Sequence, residues 1–124
     1  MDKKILMIED DDLLIRMYDQ AFAASGITAE YATNGPDGLI KAKQLRPALI
    51  LLDVMMPGMT GIQVLAELKN DADLKAIPVI MLTSLSGPSI EEEVKAKGAL
   101  EFLDKSNTKP RELVQKIKAI LQTP

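Results

Sequence analysis

The chain reads as an α/β protein in which a parallel sheet carries helices on both faces. Three observations lead there. Short apolar runs alternate five times with helix-patterned segments. Two of these runs, Ile5–Ile8 and Ala48–Leu52, are apolar without interruption, which suits strands buried on both sides. The connections are long enough for the crossovers that join parallel neighbours, which need about a dozen residues or more.

Each element has its own warrant. The first strand is followed by Asp11 or Asp12, either of which can cap a helix over roughly 12–25. Leu13, Leu14, Met17, Ala21 and Phe22 recur there at helical spacing, and Gly26 stops the helix. Thr28–Ala32 is a short, less apolar strand. Asn34-Gly35-Pro36 turns the chain into a second helix bearing Leu39, Ile40, Ala42 and Lys43, which ends before Pro47. Ala48–Leu52 is a central strand, and Pro57-Gly58 marks the loop before a helix with Ile62, Val64, Leu65 and Leu68. Ile77–Leu82 tolerates Pro78 because proline is allowed among a strand's first residues. Pro88 and Ser89 open an acidic helix whose Glu91, Glu92 and Glu93 favour the positive end of the helix dipole. Gly98 ends it, Leu100–Leu103 is the fifth strand, and Pro110 opens a last helix with Leu113, Val114, Ile117, Ile120 and Leu121 on one face.

Composition narrows the function. The 124 residues fit one compact domain, residues 1–124, and the 47% hydrophobic content suffices for a core without staples. Cysteine is absent, so thiolate chemistry and disulfides are excluded, consistent with a cytoplasmic setting. Histidine is absent too, which excludes an imidazole base, an imidazole metal ligand and a phosphohistidine on this chain. A net charge of −3 and a pI near 5.0 argue against a direct nucleic-acid surface. Met1-Asp2-Lys3-Lys4 is followed by an apolar stretch too short for a signal peptide or membrane span.

Four strand ends carry the chemistry. Glu9 and Asp10 follow the first strand, Asp53 the third, Thr83 and Ser84 the fourth, and Asp104 and Lys105 the fifth. In a parallel α/β sheet, ligands bind outside the carboxyl ends of the strands, so these residues would meet at one edge. Two like charges about 4 Å apart repel by roughly 4 kcal/mol at an effective dielectric near 20. Lys105 offsets part of that, and a divalent cation offsets more. With neither His nor Cys on offer, the all-oxygen donor set favours Mg²⁺ or Mn²⁺ over zinc. Metal, ammonium and hydroxyl together point to phosphoryl chemistry.

On these residues the chain resembles a response-regulator receiver domain, the phospho-acceptor module of two-component signalling, of the chemotaxis-regulator type. The motifs are Glu9-Asp10-Asp11, Asp53-Val54-Met55-Met56-Pro57-Gly58 with Gly61, Thr83-Ser84, and Lys105, in the family's order over nearly the whole chain. The resemblance implies a flavodoxin-like three-layer sandwich with strand order 2-1-3-4-5. It implies that Asp53 accepts the phosphoryl group as an aspartyl phosphate. Asp10 would ligate Mg²⁺ directly and Glu9 through water, with Asp53 and the backbone carbonyl of Met55 completing the protein ligands. Lys105 would bind a phosphoryl oxygen. Thr83, beside Ser84, would hydrogen-bond the phosphoryl group and move inward, and the aromatic switch residue Phe102 would follow. The donor would be a histidine kinase or a His-containing phosphotransfer protein. The output would pass through the fourth helix, fifth strand and fifth helix to a partner or output domain. Such a domain is a regulator that assists its own phosphorylation and dephosphorylation, not an enzyme acting on other substrates.

Ser106 stands where the family usually has proline, and Phe102 where tyrosine is more familiar. Taken singly, most of these residues have ordinary readings: Asp11 and Asp12 as helix cap and solvated neighbour, Thr83-Ser84 as a turn, Lys105 as a surface charge, Phe102 as core. Their joint occurrence at four strand ends outweighs those readings. A small-substrate phosphatase with an aspartyl nucleophile lacks a cap insertion here. A flavodoxin-like cofactor binder lacks a glycine-rich phosphate loop and has few aromatics. A degenerate scaffold conflicts with intact Asp10, Asp53, Thr83 and Lys105. Glu101 and the Pro110-Arg111-Glu112-Leu113 start of the last helix also raise a phosphorylation-dependent homodimer, against ordinary surface ion pairs worth about 0–1 kcal/mol.

Met55 and Leu85, at the positions flanking the site, are apolar and cannot orient an attacking water. Self-dephosphorylation is therefore expected to be slow. A phosphoryl lifetime of seconds in Mg²⁺ buffer, followed by loss of radiolabel, would contradict this.

Overall fold

The computed structural model describes residues 3–84 and 87–122. Among the described residues five strands and five helices alternate: β1 (Lys4–Ile8), α1 (Asp12–Ala24), β2 (Thr28–Ala32), α2 (Gly35–Leu45), β3 (Leu49–Leu52), α3 (Gly61–Asn70), β4 (Val79–Thr83), α4 (Pro88–Ala96), β5 (Glu101–Asp104) and α5 (Pro110–Leu121). All strand pairings are parallel, in the order β2-β1-β3-β4-β5. This is the three-layer, flavodoxin-like arrangement expected from the sequence.

Side-chain alternation explains why the central runs are apolar throughout. Leu6, Ile8, Ile50, Leu52, Val79 and Met81 face one layer, where they meet Ala42, Val64, Leu65, Leu68 and Val94 of α2, α3 and α4. Ile5, Met7, Leu49, Leu51, Ile80 and Leu82 face the other, against Tyr18 and Phe22 of α1 and Leu113, Val114 and Ile117 of α5. Successive residues of a strand point to opposite faces, so a strand covered on both sides has no polar alternation to display.

The helix starts follow local chemistry. The Asp11 carboxylate accepts from the N–H groups of Leu13 (2.9 Å) and Leu14 (3.3 Å), and Asn34 accepts from the N–H of Asp37 at 2.8 Å. Thr60 and Gln63 form a reciprocal capping box at α3. α4 differs: its N-cap is Gly87, without a side-chain cap.

Three sequence expectations shift. β3, β4 and β5 begin one or two residues later than the apolar runs, because those runs include the approach to the sheet; Leu100 is accordingly 51% exposed. α1 is rotated relative to its expected apolar stripe. Leu13 is 74% exposed and Met17 is also exposed, while Tyr18 and Phe22, four residues apart, fill the interface. Ile40 of α2 likewise faces outward. Helical spacing defines a broad stripe, and the sheet covers only part of it.

α2 approaches β1 through Gly38, where a β-carbon would stand 2.5 Å from Ile8 Cδ1 and 2.8 Å from Cγ1. Gly to Ala inside a helix ordinarily gains about 1 kcal/mol. Here the added methyl has no room, and Gly38→Ala is expected to lose about 1–3 kcal/mol by overpacking. Urea denaturation checks this, and a gain in stability would contradict it.

Candidate functional site

The sheet carries its hydrogen-bonding one residue past three of its strands, and this places the charged ends. The Glu9 N–H donates to Ala32 O (3.0 Å), the Asp53 N–H to Ile8 O (3.2 Å) and the Lys105 N–H to Thr83 O (2.9 Å). Each backbone is thus still aligned with its neighbour when its polar side chain begins. Gly61, the first residue of α3, donates its N–H to Val54 O at 2.9 Å. A β-carbon on Gly61 would overlap the Asp53 carbonyl oxygen. The helix can therefore seat directly under the aspartate only where the side chain is absent.

The result is a compact acidic group. Glu9, Asp10 and Asp53 offer ligand oxygens that all lie within 4.8 Å of one another. Glu9 is 1% exposed and Asp53 5%, whereas Asp10 faces solvent. The Lys105 ammonium pairs with Glu9 Oε1 and lies 3.3 Å from Asp53 Oδ2. Glu9 Oε2 also accepts from the Asp11 N–H at 3.1 Å, and Asp53 Oδ1 from the Met55 N–H at 3.3 Å. Thr83, the last residue of β4, is fully buried beside this edge; Ser84 is exposed. Phe102 is half-buried on β5, packed against the core layer that holds α4. Met55 is exposed two residues past Asp53, and Leu85 lies outside the described residues.

Electrostatics follow from burial. Desolvation pushes the Glu9 carboxyl up to about 7; the Lys105 hydrogen bond opposes the rise and the nearby Asp53 charge adds to it. Burial works against the Lys105 charge, but the hydrogen bond to Glu9 and the attraction of Asp53 outweigh it, so its ammonium is held above its ordinary value.

Sequence reasoning missed Tyr18. Its ring is buried and stacked on Phe22, with centroids 6.0 Å apart. Burial raises its phenol, the Lys105 charge pulls the other way, and Glu9 adds to the rise, so this side chain feels the site from below. Its place four residues before Phe22 was the available signal. The dimer reading meets a local alternative: Glu101 is paired within the chain, to Lys116 Nζ at 3.0 Å. A depression of about 520 Å³ lies among Ala48, Pro78, Leu100 and Leu121, at the opposite edge of the sheet and away from the carboxylates.

A family model described as the response regulator receiver domain matches residues 5–118. The chain is 32% identical over 121 residues to the polar-differentiation response regulator DivK of Brucella anthropi, covering 98% of both chains. It is similar to the crystal structure of the Vibrio cholerae chemotaxis protein CheY4, at 29% identity and a TM-score of 0.88, covering 97% of this chain and 99% of that one. It is also similar to the Mn²⁺-bound form of the response regulator Rcp1, at 28% identity and a TM-score of 0.84, covering 98% and 96%.

The raised Glu9 carboxyl has a consequence for the metal-free protein. The folded state keeps a proton up to about pH 7 that the unfolded chain releases near 4.5. Stability is therefore expected to fall as pH rises through that window, by up to about 3 kcal/mol. Glu9→Gln should flatten the dependence. Melting temperatures in chelator between pH 4.5 and 7.5 check this, and a wild-type curve that rises across the window would contradict it.

Proposed function

Because the chain belongs to the response regulator receiver domain family, we propose that it is a phosphorylation-activated signalling switch whose acceptor is Asp53. Receiver domains of response regulators accept phosphoryl groups in two-component signalling. The observation that carries the assignment to this site is the Lys105 ammonium paired with both Glu9 and Asp53, two members of a cluster of three carboxylates.

The residues divide the work. An Asp53 oxygen attacks phosphorus, forming an O–P bond as the donor's N–P bond breaks and its electron pair stays with the imidazole nitrogen. The chain contains no histidine, so a phosphohistidine donor belongs to a histidine kinase or a phosphotransfer protein. The donor set fits a hard cation: three carboxylates with oxygens within 4.8 Å of one another, two of them buried with a single ammonium to neutralise them. Glu9, Asp10, Asp53 and the Met55 carbonyl would hold Mg²⁺, or Mn²⁺ as in the Rcp1 structure. When bound, the ion supplies positive charge that screens the carboxylates and stabilises the phosphoryl oxygens. Lys105 exchanges its carboxylate partners for a phosphoryl oxygen. Thr83 donates its hydroxyl to another. Both act on a group bringing about −1.5 to −2 charges.

The readout proposed is the surface of α4, β5 and α5. Thr83 pairs with Asp104 and Met81 with Phe102 across β4 and β5, so displacement at Thr83 is felt by the strand carrying Phe102. Beside them, Ser84 completes the switch segment. The chain works as one receiver unit over residues 1–124, in the cytoplasm. Among the described residues no helix is long and apolar enough to cross a membrane.

Beryllofluoride with Mg²⁺, followed by NMR, tests the assignment. Wild-type protein should show shifts at Thr83, β5 and α4, and Asp53→Asn or removal of the metal should abolish them. An unchanged response in Asp53→Asn would sink the reading.

A further inference from the structure

We propose that Asp104 is the positioning residue for Lys105, closing the loop behind it through a backbone donor that proline in its place would lack. The proposal rests on the reading of Lys105 as the phosphoryl-binding ammonium.

Lys105 is the first residue beyond β5. Upstream it is secured by the sheet, through its N–H on Thr83 O at 2.9 Å. Downstream the chain leaves the sheet, and the bonds that hold it converge on Asp104. The Ser106 N–H donates to Asp104 Oδ1 at 2.8 Å. The Asn107 N–H donates to Asp104 O at 3.1 Å, and Asn107 Nδ2 lies 3.4 Å from Asp104 Oδ2. Main chain and carboxylate together make an Asx-type turn with Lys105 at its first bend.

This matters because the ammonium sits on a flexible four-carbon stem. Its aim at Glu9 and Asp53 is set by how firmly its Cα and flanking peptide planes are held. The receiver family usually holds this point with a proline. A proline ring fixes φ but removes the N–H, so ring closure and closure by Asp104 are alternatives. Ser106 supplies the N–H. Among the described residues no peptide bond is cis, and the turn closes on trans peptides. The Ser106 side is exposed and Asp104 half-buried, so the turn contributes little core. Its consequence lies in the direction of Lys105.

The test compares wild type, Asp104→Ala and Asp104→Asn, with two readouts. One is the Lys105 Cε resonance in metal-free protein, which reports the contact with Glu9. The other is beryllofluoride affinity in Mg²⁺. Asp104→Ala should move the resonance toward that of a solvent-exposed lysine and weaken beryllofluoride about tenfold, as for residues coupled in one network. Asp104→Asn keeps an acceptor for the Ser106 N–H and should restore most of both, while the melting temperature changes little in either variant. Wild-type behaviour in Asp104→Ala overturns the proposal. So does Asp104→Asn falling with Asp104→Ala, which would assign the effect to charge. If wild type itself takes up no beryllofluoride, the receiver reading fails, and the Lys105 resonance still decides the role of Asp104.

Discussion

Two carboxylates, Glu9 and Asp53, are buried at the end of a parallel sheet, and one ammonium, from a residue 96 positions beyond Glu9, lies between them. Buried charge without a partner is expensive, and a pair in a low-dielectric site balances only when its geometry is good. The rest of the structure serves that geometry. β1, β3 and β5 must be in the right register for Glu9, Asp53 and Lys105 to meet, and the ladder bonds beyond the strand ends hold them there. The raised Glu9 carboxyl shows that compensation by Lys105 is incomplete. A site left short of positive charge suits a cation, in keeping with the three carboxylates gathered there.

The same scaffold separates a rigid part from a responsive one. α3 buries Gly61, Val64, Leu65 and Leu68 and starts in a full capping box. α4 buries Val94 alone and starts at Gly87 without a side-chain cap. Few buried apolar contacts and weak capping mark an element whose displacement is inexpensive. α4 also packs on β5, next to the half-buried Phe102. α4 is thus the more compliant element beside β5, while α3, on the other side of Asp53, is held by its buried face and its capping box.

Much of this was legible in the residues. Continuous apolar runs announced strands covered on both faces, and Asp11 or Asp12, Asn34, Pro88 and Pro110 marked helix starts, whereas the Thr60 capping box emerged only in the structure. The strand-end residues were identifiable as a group because parallel topology leaves them nowhere else to go. What the sequence misjudged were rotations and relative depths. Leu13 and Met17 shared helical spacing with Phe22, but the sheet meets α1 along the line of Tyr18 and Phe22, and the other two are left in solvent. The structure buries Glu9 and leaves Asp10 at the rim, because Glu9 still belongs to the β-ladder and Asp10 has left it.

The sequence by itself determined the chemical inventory: hard oxygen ligands, one well-placed lysine, no imidazole, no thiol, and five strand–helix units to carry them. Those follow from residue type and local spacing, which need no knowledge of distant partners. Only the tertiary structure decided which carboxylate Lys105 rests on, and that Ser106 is tied back by Asp104 where a proline is usual. Pairings of that kind depend on the register of strands far apart in the chain and on the last residue that each strand keeps in the sheet. Spacing along the chain does not encode either.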